Sequence, residues 1–327
     1  MDLNYAYQEW PYREVFKISR SAKANSALFM VILSDGAHVG RGECGILDQY
    51  GHTREGLEAG FEQAREMLAD GASRADVMAS STNSSVRNAL DCAFWDLTCK
   101  QQGRSIWEMA GVEQKASVAC DLTISVNPIE KMCQDARAAF AQGYTLIKLK
   151  ADKSHVVERV TAIAGAVRGA SFIVDANEAW DIETLEKVAP ALAKIGVVLV
   201  EQPLHHLRDA PLESYRGPIP ICADESCRTL ADLDQLAKRY QAINIKLDKV
   251  GGLTDGLALA RGARQRGMEL MLGCNGPTSL GAAPAYVLAT LSDYVDLDGP
   301  ALLREDRVSG MQYHNGRLLC FASDLWG

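Results

Sequence analysis

Lys150, Asp175, Glu201, Asp224 and Lys246 stand at the ends of five successive apolar runs, TLIKLK, SFIVDAN, VVLVEQP, PICADES and AINIKLDK. Their spacings are 25, 26, 23 and 22 residues, the length of one strand, one helix and two short loops. The C-terminal strand ends of a parallel barrel face one bowl, so this period aims five charged side chains into one site. Three carboxylates crowded there repel one another unless a cation relieves them. All-oxygen ligation suits Mg²⁺, one ion per site, with water or substrate oxygens in its other positions.

The lysines supply the bases. In Lys148-Leu149-Lys150 the strand period of two puts both amines on one face, and in a barrel strand that face points inward. Lys246 ends a strand on the other side of the carboxylates. A lysine base must be neutral, and a nearby cation and a second ammonium both lower its pKa, a role for Mg²⁺ and Lys148 beside Lys150. Asp248 is expected beyond the strand end. An α-proton next to a carboxylate is very weakly acidic because its removal makes a dianionic enediolate, which a divalent cation stabilises. With one lysine on each face, one takes the proton and the other returns it from behind, so the stereocentre inverts. Asp296 and Asp298 end an eighth run on one face and suit an ammonium group. Gly40-Arg41-Gly42-Glu43-Cys44-Gly45 matches G-x-G-x-x-G, but no helix opens after it, so no dinucleotide site is expected there.

The elements that must position these groups follow from the alternation of apolar patterns. Strands are expected at 117–124, 145–150, 171–175, 197–201, 219–223, 242–246, 269–273 and 294–297, with helices between them. Near-continuous apolar strands argue a parallel sheet buried on both faces, and eight of them argue closure into a (β/α) barrel. Residues 1–112 lack this alternation. They read as an α+β capping domain with a hairpin at 26–33 and 38–44, turned at Ser34-Asp35-Gly36, and helices at 53–69 and 85–101. The barrel spans 113–300, and 301–327 is a short irregular segment expected to return to the cap.

Composition sets the outer limits. The chain has 327 residues, 47% hydrophobic and 23% charged, enough for a barrel and a companion domain. A net charge of −8 argues against nucleic acid. No apolar run approaches a membrane span, and MDLNYAYQEWPYREVF shows no secretory pattern. Nine cysteines without a C-x-x-C pair fit a reducing cytoplasm, and six scattered histidines make no metal spacing.

NALDCAFWDL, KLK, DANEAW, EQPL, PICADES, NIKLDKVGGLTDGLALA, LMLGC and DLDGP, in that order, resemble the dipeptide epimerases of the enolase superfamily, in its muconate-lactonizing branch. The resemblance implies a modified (β/α)7β barrel with an N-terminal α+β capping domain. It implies Lys150 and Lys246 as the acid/base pair, Asp175, Glu201 and Asp224 as Mg²⁺ ligands, and Lys148 on the substrate carboxylate. Asp296 and Asp298 match the pair that receives the N-terminal ammonium of a dipeptide, and Thr123, Cys274 and Asn275 match positions lining it. ISRSAK resembles the loop that offers a cation to a glutamyl side chain, with Arg20 or Lys23 in that role. Two stretches depart from the family pattern, Gln49-Tyr50-Gly51-His52 and Gly273-Cys274-Asn275-Gly276-Pro277, and both lie where specificity is set. The implied activity is two-base epimerisation of the C-terminal residue of a dipeptide such as L-Ala-D/L-Glu, a murein fragment. The alternative is an N-acylamino-acid racemase, such as one acting on N-acetylglutamate, whose substrate offers Asp296 and Asp298 no cation. Cycloisomerisation or dehydration on this scaffold, and a metal-binding barrel without catalysis, are the remaining readings. A homo-oligomer is compatible with all of them.

Overall fold

Short strands that are apolar on both faces need cover on both, and the fold supplies it with a filled interior and an outer layer of helices. The computed structural model describes residues 1–18 and 21–327. Its strands are β1 (Asp2–Ile18), β2 (Ser21–Ser34), β3 (Val39–Gly45), β4 (Ser117–Ala119), β5 (Leu122–Ile124), β6 (Leu146–Lys150), β7 (Ser171–Asp175), β8 (Val197–Glu201), β9 (Ile221–Ala223), β10 (Ala242–Ile245), β11 (Glu269–Leu272), β12 (Tyr294–Val295), β13 (Tyr313–His314) and β14 (Arg317–Leu319).

Strands β5 to β12 form one parallel eight-stranded sheet in chain order. It curls until its edges meet: the Asp121 amide donates to the Val295 carbonyl at 2.9 Å, joining the first strand to the last. The inner face is plugged by Ile173, Leu199, Cys222, Ala242 and Met271. The alternate side chains, among them Phe172, Val174, Val200, Ile221, Ile243 and Leu270, face the helices in the main core. On β7, β8 and β9 period two therefore carries the plug residue to a carboxylate one step nearer the mouth: Ile173 precedes Asp175, Leu199 precedes Glu201 and Cys222 precedes Asp224.

The capping sheet is antiparallel in the order β1-β2-β3. Its hairpin β2–β3 is the expected one, with Gly36 at φ +92° in the turn. Strand β1 was not expected. It is a sheet edge rich in polar residues, and its pairing slips between Pro11 and Phe16, where proline cannot donate to the ladder. Helices α1 (Arg54–Ala69), α2 (Arg74–Ser80) and α3 (Ser84–Gln102) complete the cap. The seven-residue α2 also escaped the sequence pattern, since Val77 is its one buried residue. Phe29, Val31, Leu33, Phe61, Leu90 and Leu97 fill the space between sheet and helices. Gly40 and Gly42 let β3 lie directly on α3: a Cβ at either would stand 2.1 Å from the Ala93 carbonyl oxygen or 2.0 Å from that of Ala89.

Several strand boundaries differ from expectation, the run read as 219–223 among them, which is a strand only over Ile221–Ala223. The strand read as 117–124 is broken at Cys120-Asp121, and its first half, β4, pairs with β14 in a small antiparallel sheet completed by β13. The strands read to 246, 273 and 297 leave the sheet at Ile245, Leu272 and Val295, because the mouth residues turn into loops and short helices. After β14 the chain runs to α3, where Trp326 Nε1 donates to the carbonyls of Arg41 at 3.0 Å and Cys92 at 3.2 Å.

Candidate active site

The five charged groups predicted from their spacing gather at the C-terminal mouth. Register places Lys150 opposite Asp175 and Asp175 opposite Glu201 on neighbouring strands. Lys150 Nζ donates to Asp175 Oδ2 at 2.6 Å, and Lys246 Nζ donates to Asp224 Oδ2 at 2.7 Å. Lys148 meets three carboxylates: Asp296 at 2.6 Å, Glu201 at 2.7 Å and Asp175 at 3.3 Å. All these side chains are buried, so the charges interact with little screening by water.

Burial by itself raises Asp175, but Lys150, Lys148 and Lys246 outweigh it and hold the carboxyl at about 2. Asp224 behaves alike, held well below the usual range by Lys246 and Lys249 against its desolvation. Glu201 is the unrelieved member: desolvation, with Asp175 and Asp224 beside it, pushes it up to about 7 despite Lys148. Its Oε2 lies within ion-pair distance of Lys148 but outside hydrogen-bond geometry. On the lysine side, burial lowers Lys246 while Asp224 and Glu201 raise it further, so its proton is held well above the ordinary lysine range. Against its desolvation Lys148 is raised too, by Asp296, Glu201 and Asp175, because each of these two ammoniums sits on an anion.

A hard cation fits this donor set. Three buried carboxylates on adjacent strands offer oxygen alone, and Glu201 is poorly compensated. As they stand, the three are each turned onto a lysine and do not bring their oxygens within 4.8 Å of one another. Among the described residues two other groups do: Asp121, Asp296 and Asp298, and Glu178, His205 and His206. Ligation by the trio therefore requires Asp175 and Asp224 to rotate off Lys150 and Lys246.

Above the carboxylates lies a cavity of about 400 Å³, roofed by the cap through Tyr12, Phe16, Lys23 and Tyr50. Thr123, Lys148, Cys274, Asn275, Asp296 and Asp298 all line it. The Thr123 amide donates to Asp298 Oδ2 at 2.6 Å, and its hydroxyl donates to Asp296 Oδ1 at 3.3 Å. Desolvation, then Asp296, pushes Asp298 up to about 7. Cys274 is half-buried, and desolvation raises the pKa of its thiol. Asn275 also bonds Asp248, which turns toward the cap and accepts from Asn88 Nδ2 at 2.7 Å. Lys23 Nζ pairs with Asp48 Oδ2 at 2.9 Å on an exposed edge, and Arg20 lies outside the described residues. In the divergent loop, Tyr50 faces the cavity with the Arg228 guanidinium 4.7 Å from its ring centroid, while His52 Nδ1 lies 3.1 Å from Ser85 Oγ.

Sequence reasoning missed three buried polar residues. Asn244 Nδ2 donates to Glu201 Oε1 at 2.8 Å, and Lys249 Nζ donates to Asp224 Oδ1 at 2.8 Å. Asp121 is fully buried behind Asp296 and Asp298, which together with desolvation raise its pKa well above normal. Period two from Lys246 points to Asn244, period two from Thr123 points to Asp121, and one helical turn from Lys246 points to Lys249.

The profile of the Enolase C-terminal domain-like family matches residues 131–319, more than half of the chain. The chain belongs to this family. Among its relatives, the L-Ala-D/L-Glu epimerase of Escherichia coli K12 is 38% identical over 311 residues, covering 95% of this chain and 97% of the relative. An N-acetyl-D-glutamate racemase from a Pseudoalteromonas species is 46% identical over 241 residues, 74% of this chain and 76% of the relative. The crystal structure of an enolase family member from Agrobacterium tumefaciens with homology to dipeptide epimerases, holding sodium and L-Ala-L-Glu, superposes with a TM-score of 0.95. It is 35% identical and covers 99% of both chains. Within the enolase family, then, this chain stands beside enzymes that invert an α-carbon of amino-acid derivatives.

Proposed function

We propose that the chain is a Mg²⁺-dependent isomerase that epimerises the C-terminal residue of a dipeptide, with L-Ala-D/L-Glu as the preferred substrate. The observation that carries this reading is the order of groups around the mouth: Lys150 on β6, the carboxylates of β7, β8 and the β9 end, then Lys246 after β10. Asp175, Glu201 and Asp224 hold the cation, which supplies positive charge to the substrate carboxylate as a second negative charge develops on it. Lys148 leaves Glu201 for the substrate carboxylate. One of Lys150 and Lys246, in its neutral form, takes the α-proton from its own face. The ammonium opposite delivers a proton to the other face of the enediolate, and the roles exchange in the reverse direction. Asp296 and Asp298 accept the free N-terminal ammonium, with Thr123 fixing both. Lys23 meets the glutamyl carboxylate from the cap, with Arg20 the alternative that the ISRSAK motif allows.

A second reading shares every step and changes the N-substituent. The 46% identity to the Pseudoalteromonas racemase favours N-acetylglutamate. In that reading Asp296 stays paired with Lys148, as at 2.6 Å here, and no substrate ammonium reaches Asp296 and Asp298. Incubation in D₂O with L-Ala-L-Glu and with N-acetyl-L-glutamate, followed by mass spectrometry and chiral separation, decides between them. Deuterium with inversion in the dipeptide supports the first reading, inversion confined to the acetyl compound supports the second, and incorporation into neither removes both.

A further inference from the structure

Asn244 and Lys249 take no part in the proton transfer, yet each is buried against a carboxylate that the proposed function assigns to the cation, the reading on which this inference rests. Two lysines share Asp224, and their hydrogen bonds separate them. An ammonium has three donors. Lys249 uses all of them, on Asp224 Oδ1 at 2.8 Å, on the Asp224 carbonyl, and on the Asn244 carbonyl at 2.8 Å. Lys246 makes one such bond among the described residues, to Asp224 Oδ2 at 2.7 Å. Both border the cavity, but the Lys246 side chain is 10% exposed, open to substrate, and that of Lys249 only 1%.

To move, Lys249 must break three charge-assisted bonds in a site with almost no water, while Lys246 breaks one. We propose that Lys249 is a positioning residue: it anchors Asp224 through Oδ1 and the carbonyl while Oδ2 comes off Lys246 toward the cation, and it balances the charge of that carboxylate, leaving Lys246 free to turn toward the substrate. Asn244 does the same for Glu201 through its amide, bonded at 2.8 Å. The Asn244 carbonyl, held by Lys249, ties the two supports into one unit on the strand that also carries Lys246. The competing explanation is an ion pair that stabilises the fold and does nothing for the site. Groups that orient metal ligands typically change metal affinity about 10–100-fold when removed, which a purely structural pair does not.

The test is direct titration with Mn²⁺, read by loss of the free-ion electron paramagnetic resonance signal, on the full chain without substrate and with thermal melts in parallel. Lys249→Met is expected to bind Mn²⁺ at least about tenfold more weakly than wild type, and Lys249→Arg, which keeps the charge, to stay within about threefold. Mn²⁺ affinity in folded Lys249→Met within about twofold of wild type overturns the proposal. If that variant does not fold, Asn244→Ala removes the Glu201 half of the unit and is judged by the same limits. A wild-type chain that binds no Mn²⁺ refutes the carboxylate trio as the metal centre. Normal wild-type binding that is unaffected by either variant refutes only the role of Lys249 and Asn244.

Discussion

Lys150 and Lys246 stand four strands apart in an eight-stranded ring, one resting on Asp175 at 2.6 Å and the other on Asp224 at 2.7 Å. That separation puts the two lysines on opposite sides of the mouth, as the proposed two-base mechanism requires, with the carboxylates of the intervening strands between them. The same pairs set the protonation problem. An anion in contact stabilises an ammonium, and a lysine becomes a base only once its carboxylate is engaged elsewhere.

Chelation is the simplest test of that engagement. Treatment with EDTA is expected to abolish epimerisation and Mg²⁺ to restore it. Glu201→Gln is expected to lose at least about tenfold in Mn²⁺ affinity, since a neutral amide replaces one of three anionic ligands. Mg²⁺ at 100 times its dissociation constant should raise stability by about 2.7 kcal/mol, visible as a higher Tm in the wild type and a much smaller rise in Glu201→Gln.

The acids on the last strand report on the substrate. If a free ammonium docks on Asp296 and Asp298, Asp298→Asn is expected to reduce kcat/KM for L-Ala-L-Glu by roughly 10–100-fold, the cost of a lost charged hydrogen bond. N-acetyl-L-glutamate turnover in the same variant should change much less. Equal losses on both substrates would assign Asp298 to holding Thr123.

Much of this site was legible because charge interrupts an apolar strand rarely and here did so five times at the period of a βα unit. The barrel and the cap hairpin were legible for the same reason, through apolar runs separated by turn residues. Strand β1 was not, because an edge strand facing solvent shows no run to detect. Asn244 and Lys249 were hidden for another reason. Each looks like an ordinary polar residue near a strand end, and its meaning depends on Glu201 or Asp224, which lie 43 and 25 residues away in the chain. Asp121 was concealed by a strand read as continuous that in fact breaks at that residue.

Asp248 predicts a pH dependence of stability. Desolvation raises its pKa to about 7 against the bonds from Asn88 and Gly45, with Glu43 adding to the rise. The folded state thus binds a proton that the unfolded chain has released above the ordinary aspartate value of 3.8, so stability falls as pH rises from about 4 through about 7. Replacing it in Asp248→Asn is expected to flatten denaturant-derived stability across that window, by an amount on the order of a few kcal/mol. A wild-type profile that rises with pH there, unchanged in the variant, would contradict the assignment.

The seat of β3 on α3 predicts a stability effect away from the chemistry. Gly42→Ala places a methyl 2.0 Å from the Ala89 carbonyl oxygen, a backbone atom that cannot rotate away. Overpacking of this kind costs roughly 1–3 kcal/mol or more, seen as a lower melting temperature. Gly165→Ala, whose added carbon meets nothing within 4 Å, should melt at or slightly above the wild-type temperature.

The most direct test of the central claim follows α-proton exchange by NMR in D₂O, starting from each epimer separately, in wild type, Lys150→Ala and Lys246→Ala. The account predicts that each variant loses epimerisation by roughly 10²–10⁴-fold and retains exchange from one epimer only, the opposite epimer in the two variants. Both variants exchanging the same epimer, or either one epimerising at the wild-type rate, would contradict two bases on opposite faces.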